Sequence, residues 1–174
     1  MLPEVPPVTD ETDFAAWVTA RGDALQRFAF LVTGNASEAP DLVQDALARA
    51  YPRWRSLAAA GTAEAYVRKS IVNGSVSRWR KRRHLVAVDD VEPFAQPVVE
   101  EATQRVVDAD EAWELCRSLP TKQRAAVVLR FYEDLSFAQI ALILGCTETT
   151  ARSHVHRALT TLRARLAKRG GDDA

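Results

Sequence analysis

The sequence predicts an all-α protein built as two small helical domains joined by an acidic flexible linker. Three observations lead there. Apolar residues recur at helical spacing in both halves, no stretch alternates as a strand would, and a charge reversal separates the halves. The length, 174 residues with 47% hydrophobic side chains, suffices for two modest cores. The expected organisation is a disordered start over 1–12, a helical module over 13–84, a linker over 85–106, a second module over 107–169 and a tail over 170–174.

Phe14, Trp17, Val18, Leu25, Phe28, Ala29, Leu31 and Val32 suggest a first helix or helix pair ending near Gly34. Asn35 and Ser37 are cap candidates for the next helix, where Pro40 is tolerable in the first turn because amides there lack intrahelical acceptors. Leu42, Val43, Ala46, Leu47, Ala50 and Trp54 form its apolar stripe, with Asp41, Gln44 and Ala48 opposite and Asp45 at the edge. Pro52 interrupts or kinks it, residues 55–61 read as a loop, and Thr62 caps a long helix reaching about Arg83. That helix has no clean stripe, which fits packing on one face and partial occupation of the other.

Residues 85–103 read as an extended acidic linker. Helices resume near Asp108, with Ala112, Trp113, Cys116 and Leu119 on one face. Pro120 restarts the chain, and Val127, Val128, Leu129, Phe131 and Tyr132 are expected to continue the second core. Ser136 and Gln139 make a capping box, Ile140, Ala141 and Leu144 a short apolar face, and Gly145 a left-handed stop. Thr147 then caps a last helix. Its apolar residues Ala151, Val155, Ala158, Leu159, Leu162 and Leu166 oppose Thr149, Ser153, His156, Arg157 and Thr160. A short helix, a glycine turn and a longer helix with hydrogen-bonding and cationic residues near its exposed start form a helix-turn-helix, which enters a DNA major groove. The other reading is a helical hairpin buried in a larger α-domain.

Net charge is zero, but its distribution is uneven. Residues 1–77 carry 7 cations and 9 anions, whereas 78–84 carry 5 cations and no acid. Residues 85–111 hold 8 acids against Arg105 alone, and 112–169 hold 10 cations against 4 acids. Two basic blocks around an acidic connector suit two DNA-touching modules on one chain.

Nothing in the sequence points to an enzyme, a cofactor or a metal. No glycine-rich phosphate loop is present, and His154 and His156, two apart on a helix, diverge. Cys116 and Cys146 lack paired spacing and read as small core residues. No run suits membrane insertion, and the start carries no export pattern, so a cytoplasmic location is expected. Asp41 and Asp45 have two readings of equal weight: charge favoured by a helix N-terminus, or a recognition face for a basic partner.

The motifs, taken together, resemble a known family. Residues 37–54, SEAPDLVQDALARAYPRW, resemble the conserved-region-2 helix of bacterial sigma factors, written AEDLVQE-x-F-x-x-A. Residues 62–84, TAEAYVRKSIVNGSVSRWRKRRH, are similar to the next helix of that region. Residues 119–166, from the Leu-Pro start through the helix-turn-helix, resemble region 4. Everything beyond residue 12 is covered in the expected order, in the manner of the small extracytoplasmic-function factors in an actinobacterial style.

The resemblance implies a factor that binds core RNA polymerase, through the β′ clamp helices and the β flap, and directs it to promoter DNA. Asp41, Leu42, Gln44 and Asp45 match the face that docks on the clamp helices. Arg68, Lys69 and Asn73 match residues facing the −10 element, with Ser77 beside them, and Arg78, Arg80, Lys81, Arg82 and Arg83 would hold phosphates. The 55–63 loop lies where such factors capture an unstacked base. Thr149, Thr150, Arg152, Ser153, His156 and Arg157 are candidates for the −35 element, with phosphate preferred for Arg152. The acidic linker matches a segment threaded through polymerase channels, or is a solvated tether. An anti-sigma partner is expected from the family.

The chain departs from the family pattern at Pro40 and Pro52, which bear on the details of clamp docking, at Gln139, and at Thr150-Ala151 and His154, so its preferred −35 sequence does not transfer. The rival reading is an operator-binding regulator that dimerises through its N-terminal helices and binds DNA unaided.

Overall fold

The computed structural model describes residues 10–86, 114 and 116–172, with side chains over 13–82, 114 and 116–168. The acidic linker and the Ala112–Trp113 part of the expected second-module face lie outside the described residues. Helix is the regular structure throughout, and no strand occurs among the described residues.

Helix α1 spans Asp10–Thr33 as a single helix, because nothing breaks it before Gly34, which stands at φ +68°. Leu25, Phe28, Ala29 and Val32, at i, i+3, i+4 and i+7, are fully buried. The Gly34 amide donates to the Phe30 carbonyl at 2.8 Å and closes the helix. The expected caps of the next helix do something else. Asn35 Oδ1 accepts from the Ser37 amide at 2.9 Å and from its hydroxyl at 2.7 Å, an Asx turn that aims the chain at α2 without capping it.

Helix α2 spans Ala39–Ala50 with Pro40 in its first turn. Leu42, Val43, Ala46 and Ala50 are buried as the stripe requires. Pro52, lacking an N–H, breaks the ladder into a tight turn at Tyr51–Arg53, and here the loop expectation fails: Trp54–Ala59 forms a short helix, α3. Trp54 and Leu57, one turn apart, are both buried and hold it down. Trp54 packs edge-on against Phe14 at 5.1 Å and beside Trp17 at 5.3 Å, and its indole N–H donates to Asp13 at 3.3 Å. Only the turn around Gly61, φ +64°, remains irregular before α4, Ala63–Val86.

Helix α4 packs against α2, where Gly74 admits Leu42: a Cβ there would stand 2.6 Å from the leucine Cδ2. In the second half, Pro120 precedes α5, Thr121–Val127, with Ala125 and Ala126 fully buried. The chain then widens over Val128–Tyr132, the Glu133 amide donating five residues back to Val128 at 3.1 Å. The extra residue turns the following side chains off the core side. Leu129 is buried, but Phe131 and Tyr132 are 61% and 56% exposed, correcting the expectation that both were core.

Helix α6, Phe137–Leu144, opens on the reciprocal capping box: the Gln139 amide donates to Ser136 Oγ at 3.3 Å and the Ser136 amide to Gln139 Oε1 at 2.9 Å. It ends at Gly145, φ +63°. The Thr147 hydroxyl accepts from the Thr150 amide at 3.1 Å and caps α7, Glu148–Asp172. Ala151, Val155 and Ala158 are buried, whereas Leu166 is 53% exposed. One contiguous apolar cluster joins Leu25, Phe28 and Ile71 to Ala125, Leu129 and Ile140. The two helical groups therefore share a core, with α1 against α5 and α4 against α6.

Candidate nucleic-acid interface

Helix α4 sorts its polar residues onto two faces. Lys69, Asn73, Ser77, Arg80 and Lys81 are all exposed. At about 100° per residue they share an arc of roughly 120°. Arg68, Arg78 and Arg82 fall on a different arc and turn toward acids. The Arg82 guanidinium meets Glu38, and Arg78 Nη2 donates to Asp45 at 3.1 Å with Asp41 4.0 Å away. The Arg83 side chain lies outside the described residues.

Arg68 is a correction. Expected on the surface, it is 5% exposed, its guanidinium 5.0 Å above the Phe28 ring. Nη2 donates to Glu64 at 2.8 Å. Nη1 lies 2.9 Å from Glu133, off the N–H direction, so that contact is an ion pair rather than an aligned hydrogen bond. Burial pulls this guanidinium's pKa down, but Glu133 and Glu64 outweigh it and leave the value above the ordinary one.

On α2, Asp41, Gln44 and Asp45 face solvent. Leu42, grouped with them by the resemblance but set on the apolar stripe by periodicity, is 2% exposed and seats α2 on α4. The Asp45–Arg78 pair is itself half-open to water, where such pairs are worth about 0–1 kcal/mol. An incoming cation can therefore take the acids from Arg78 at little cost.

At the helix-turn-helix, Thr149, Thr150, Arg152, His156 and Arg157 are exposed and Ser153 is half-buried. The Ser153 hydroxyl donates to the Thr149 carbonyl at 3.0 Å. Arg152 is held in place: it donates to Glu148 at 3.0 Å and stacks 4.4 Å over the Phe137 ring, which Arg130 also contacts at 5.2 Å. The Glu148–Arg152 spacing of four was readable in the sequence as a helical ion pair. Phe137 carries no such signal in the sequence.

His154 and His156 diverge as expected. His156 is exposed, whereas His154 Nδ1 is buried without a hydrogen-bond partner, and burial with Lys122 and Arg157 nearby lowers its pKa. No group of three His, Cys, Asp or Glu suited to a metal ion occurs among the described residues. None of the described helices is long and apolar enough to cross a membrane.

Arg124 escaped the sequence reading altogether. It is 7% exposed, and it donates from Nε to the Val32 carbonyl at 2.7 Å and from Nη2 to the Thr33 carbonyl at 3.3 Å. Nη1 donates to the Arg117 carbonyl at 2.7 Å. Its hydrogen-bond partners are carbonyl oxygens rather than carboxylates, two of them at the negative end of α1. Burial first, then Arg117 and Arg82, lower its pKa to about 10, so it keeps its charge at neutral pH.

The chain matches known proteins in family, in sequence and in structure. Residues 12–85 match the family Sigma-70 region 2, and residues 109–162 match Sigma-70, region 4. The chain is 35% identical over 162 residues to the RNA polymerase sigma-E factor of Streptomyces coelicolor, covering 92% of this chain and 89% of that one. It is 31% identical to the ECF RNA polymerase sigma factor EcfG of Rhodopseudomonas palustris, covering 90% and 86%. Among solved structures it is similar to the sigma factor RpoE of Bartonella quintana, co-crystallised with the anti-sigma factor NepR. That likeness has a TM-score of 0.75 and 27% identity, covering 89% of this chain and 97% of that one.

Proposed function

The chain belongs to the sigma-70 family as an extracytoplasmic-function RNA polymerase sigma factor, and from that premise we propose how its surfaces divide the work. It binds core RNA polymerase and directs promoter-specific initiation. Sigma factors are non-enzymatic, so binding geometry is the whole of the mechanism.

Region 2, taken as residues 13–84, presents Asp41, Gln44 and Asp45 to the β′ clamp helices, with Leu42 beneath them as support. Its −10 surface is the outward arc of α4. Asn73 and Ser77 reach bases, while Lys69, Arg80 and Lys81 hold phosphates. Arg78 joins them as the clamp takes over Asp41 and Asp45, Arg82 on leaving Glu38, and Arg83 extends the run. The base-capture role expected of residues 55–63 narrows to the turn at 60–62, since α3 occupies the rest.

Region 4, taken as residues 107–169, sets Thr149, Thr150, Ser153, His156 and Arg157 toward the −35 element and meets the β flap. Arg152, already stacked and ion-paired, suits a phosphate rather than a base edge. The acidic linker over 85–106 joins the regions. An anti-sigma factor, as in the Bartonella quintana complex, is the expected inhibitor, and the site of action is the cytoplasm.

The observation that carries this reading is the division of α4, with an outward cationic arc free for nucleic acid and a second basic face matched to the acids of α2. The rival, a dimeric operator binder, requires an apolar dimer face where Asp41 and Asp45 stand. Run-off transcription with purified core polymerase decides between them. Promoter-directed transcripts are expected only when the protein is added. Tight binding of an isolated dimer to a palindromic site, indifferent to polymerase, would favour the rival.

A further inference from the structure

We propose that Arg53 is a positioning residue for the −10 element: its bond to Tyr66 closes the hairpin of α3 and α4 at the base and fixes the turn at 60–62 that meets an unstacked base. This role rests on the −10 reading above and adds to it a residue that lies outside α4.

The inner side of the hairpin is seated on the core by Trp54 and Leu57 from α3 and by Ala63 and Val67 from α4, all buried. Its tip is closed by local backbone bonds. The Gly61 amide donates to the Ala58 carbonyl at 3.1 Å and the Thr62 amide to the Leu57 carbonyl at 3.0 Å. Residues 58–62 are all exposed, and a Cβ on Gly61 would meet nothing within 4 Å. The core therefore holds the hairpin from one side, and the tilt of its tip is set at the base. There one side-chain bond stands. Arg53, the residue before α3, donates from Nη1 to the Tyr66 hydroxyl at 2.6 Å, with the guanidinium carbon 5.8 Å from the ring centre. A charged donor at this length makes one of the stronger hydrogen bonds. Arg53 is exposed and pairs with no carboxylate among the described residues, so Tyr66 is what holds it.

The bond also sets the turn against the outward arc of α4. Tyr66, half-buried in the first turn of that helix, lies about 20° around the axis from Asn73 and so shares the arc with Lys69, Ser77 and Arg80. Arg53 thus ties the α3 leg to the face along which the opened strand runs. Its partner is thirteen residues on, and the 60–62 turn is the far end of the loop they close. A base that leaves the stack costs unstacking energy, which its new contacts must offset. Contacts misplaced by about 1 Å recover far less of it. Without Arg53 the α3 leg is held by Trp54 and Leu57 alone, and the tip can rock on them.

Arg53→Ala and Tyr66→Phe, made in the full chain, remove the bond from either end, and Arg53→Lys keeps a cationic donor. In the free protein the first two should each speed amide hydrogen exchange at 60–62 about fivefold, the ordinary net worth of one hydrogen bond. The thermal midpoint should stay within a few degrees, as for most surface changes. In the holoenzyme, discrimination among promoters substituted singly across the −10 element should fall by a similar factor, while dependence on the −35 element is unchanged. The double variant should lose no more than either single one, as two ends of one bond require, and Arg53→Lys should recover part of the loss. Unaltered exchange at 60–62, unaltered −10 discrimination in Arg53→Ala, or additive losses in the double variant overturn the proposal. A wild-type holoenzyme indifferent to every −10 substitution would sink the base-capture reading instead, while the exchange rates still judge whether Arg53 fixes the turn.

Discussion

Arg78 sits between two surfaces with opposite needs. Its guanidinium meets Asp45 at 3.1 Å, leaving both aspartates accessible and the pair cheap to exchange. Asp41→Lys and Asp45→Lys are each expected to abolish binding to core polymerase, measured by co-elution, while the thermal midpoint stays within a few degrees, as exposed charge changes usually allow. Undiminished core binding would move the docking face off α2. His154 makes a pH prediction with a definite sign. Burial, Lys122 and Arg157 hold its pKa below the ordinary histidine value of about 6.5. The unfolded chain therefore binds the proton more readily, and stability falls as pH drops through about 6.5. The midpoint of the wild type should fall further on acidification than that of His154→Gln, and equal slopes would mean the ring is solvated. At this scale the sequence was a partial guide. Asp41, Gln44 and Asp45 were placed by periodicity, because an exposed polar residue opposite an apolar stripe has a readable position. Arg68 and Arg124 were not, since which face of α4 or α5 is covered depends on helices far away in the chain.

Among the elements, the helix-turn-helix is the most locally determined. Ser136, Gln139, Gly145 and Thr147 each act on backbone groups within a few residues, so pattern and geometry agree. Ser136→Ala should cost about 1 kcal/mol, the usual worth of an N-cap. Gly145→Ala forces a Cβ into the left-handed region and should cost about 1–2 kcal/mol. Both are read from chemical denaturation, and a neutral Gly145→Ala would show that the turn can relax. Phe137→Leu keeps an apolar side chain at this half-buried position but removes the ring beneath Arg152. It is expected to weaken −35-dependent transcription while templates lacking that element are unaffected; equal losses on both would indicate misfolding. Elsewhere local signals misled. The wide turn at Val128–Tyr132 has no breaker in its sequence, so a helical pattern carried Phe131 and Tyr132 into the core on paper. Residues 54–59, short and alanine-rich, form α3 because Trp54 finds Phe14 and Trp17, a tertiary gain that propensity does not foresee.

For the molecule as a whole, charge distribution predicted two basic bodies but not that they share a core. Leu25 and Leu129 both read as apolar, yet nothing periodic links positions so far apart, and the ties across the boundary, Arg124 and Arg68, look like surface residues in one dimension. The same distribution makes a prediction about affinity in solution. Each phosphate neutralised on single-stranded DNA contributes about −0.7 to the slope of log K against log salt. Lys81 is exposed on the outward arc of α4 and pairs with no acid among the described residues. Lys81→Ala should therefore flatten that slope by about 0.7 for the holoenzyme on every promoter tested, lowering affinity without changing sequence preference. Asn73→Ala should do the reverse, leaving the slope intact and redistributing preference among −10 sequences. Anisotropy titrations over a salt series, with two promoters differing only in the −10 element, separate the two. If Lys81→Ala alters preference while Asn73→Ala alters only the salt slope, the division of α4 into phosphate-holding and base-reading positions is inverted.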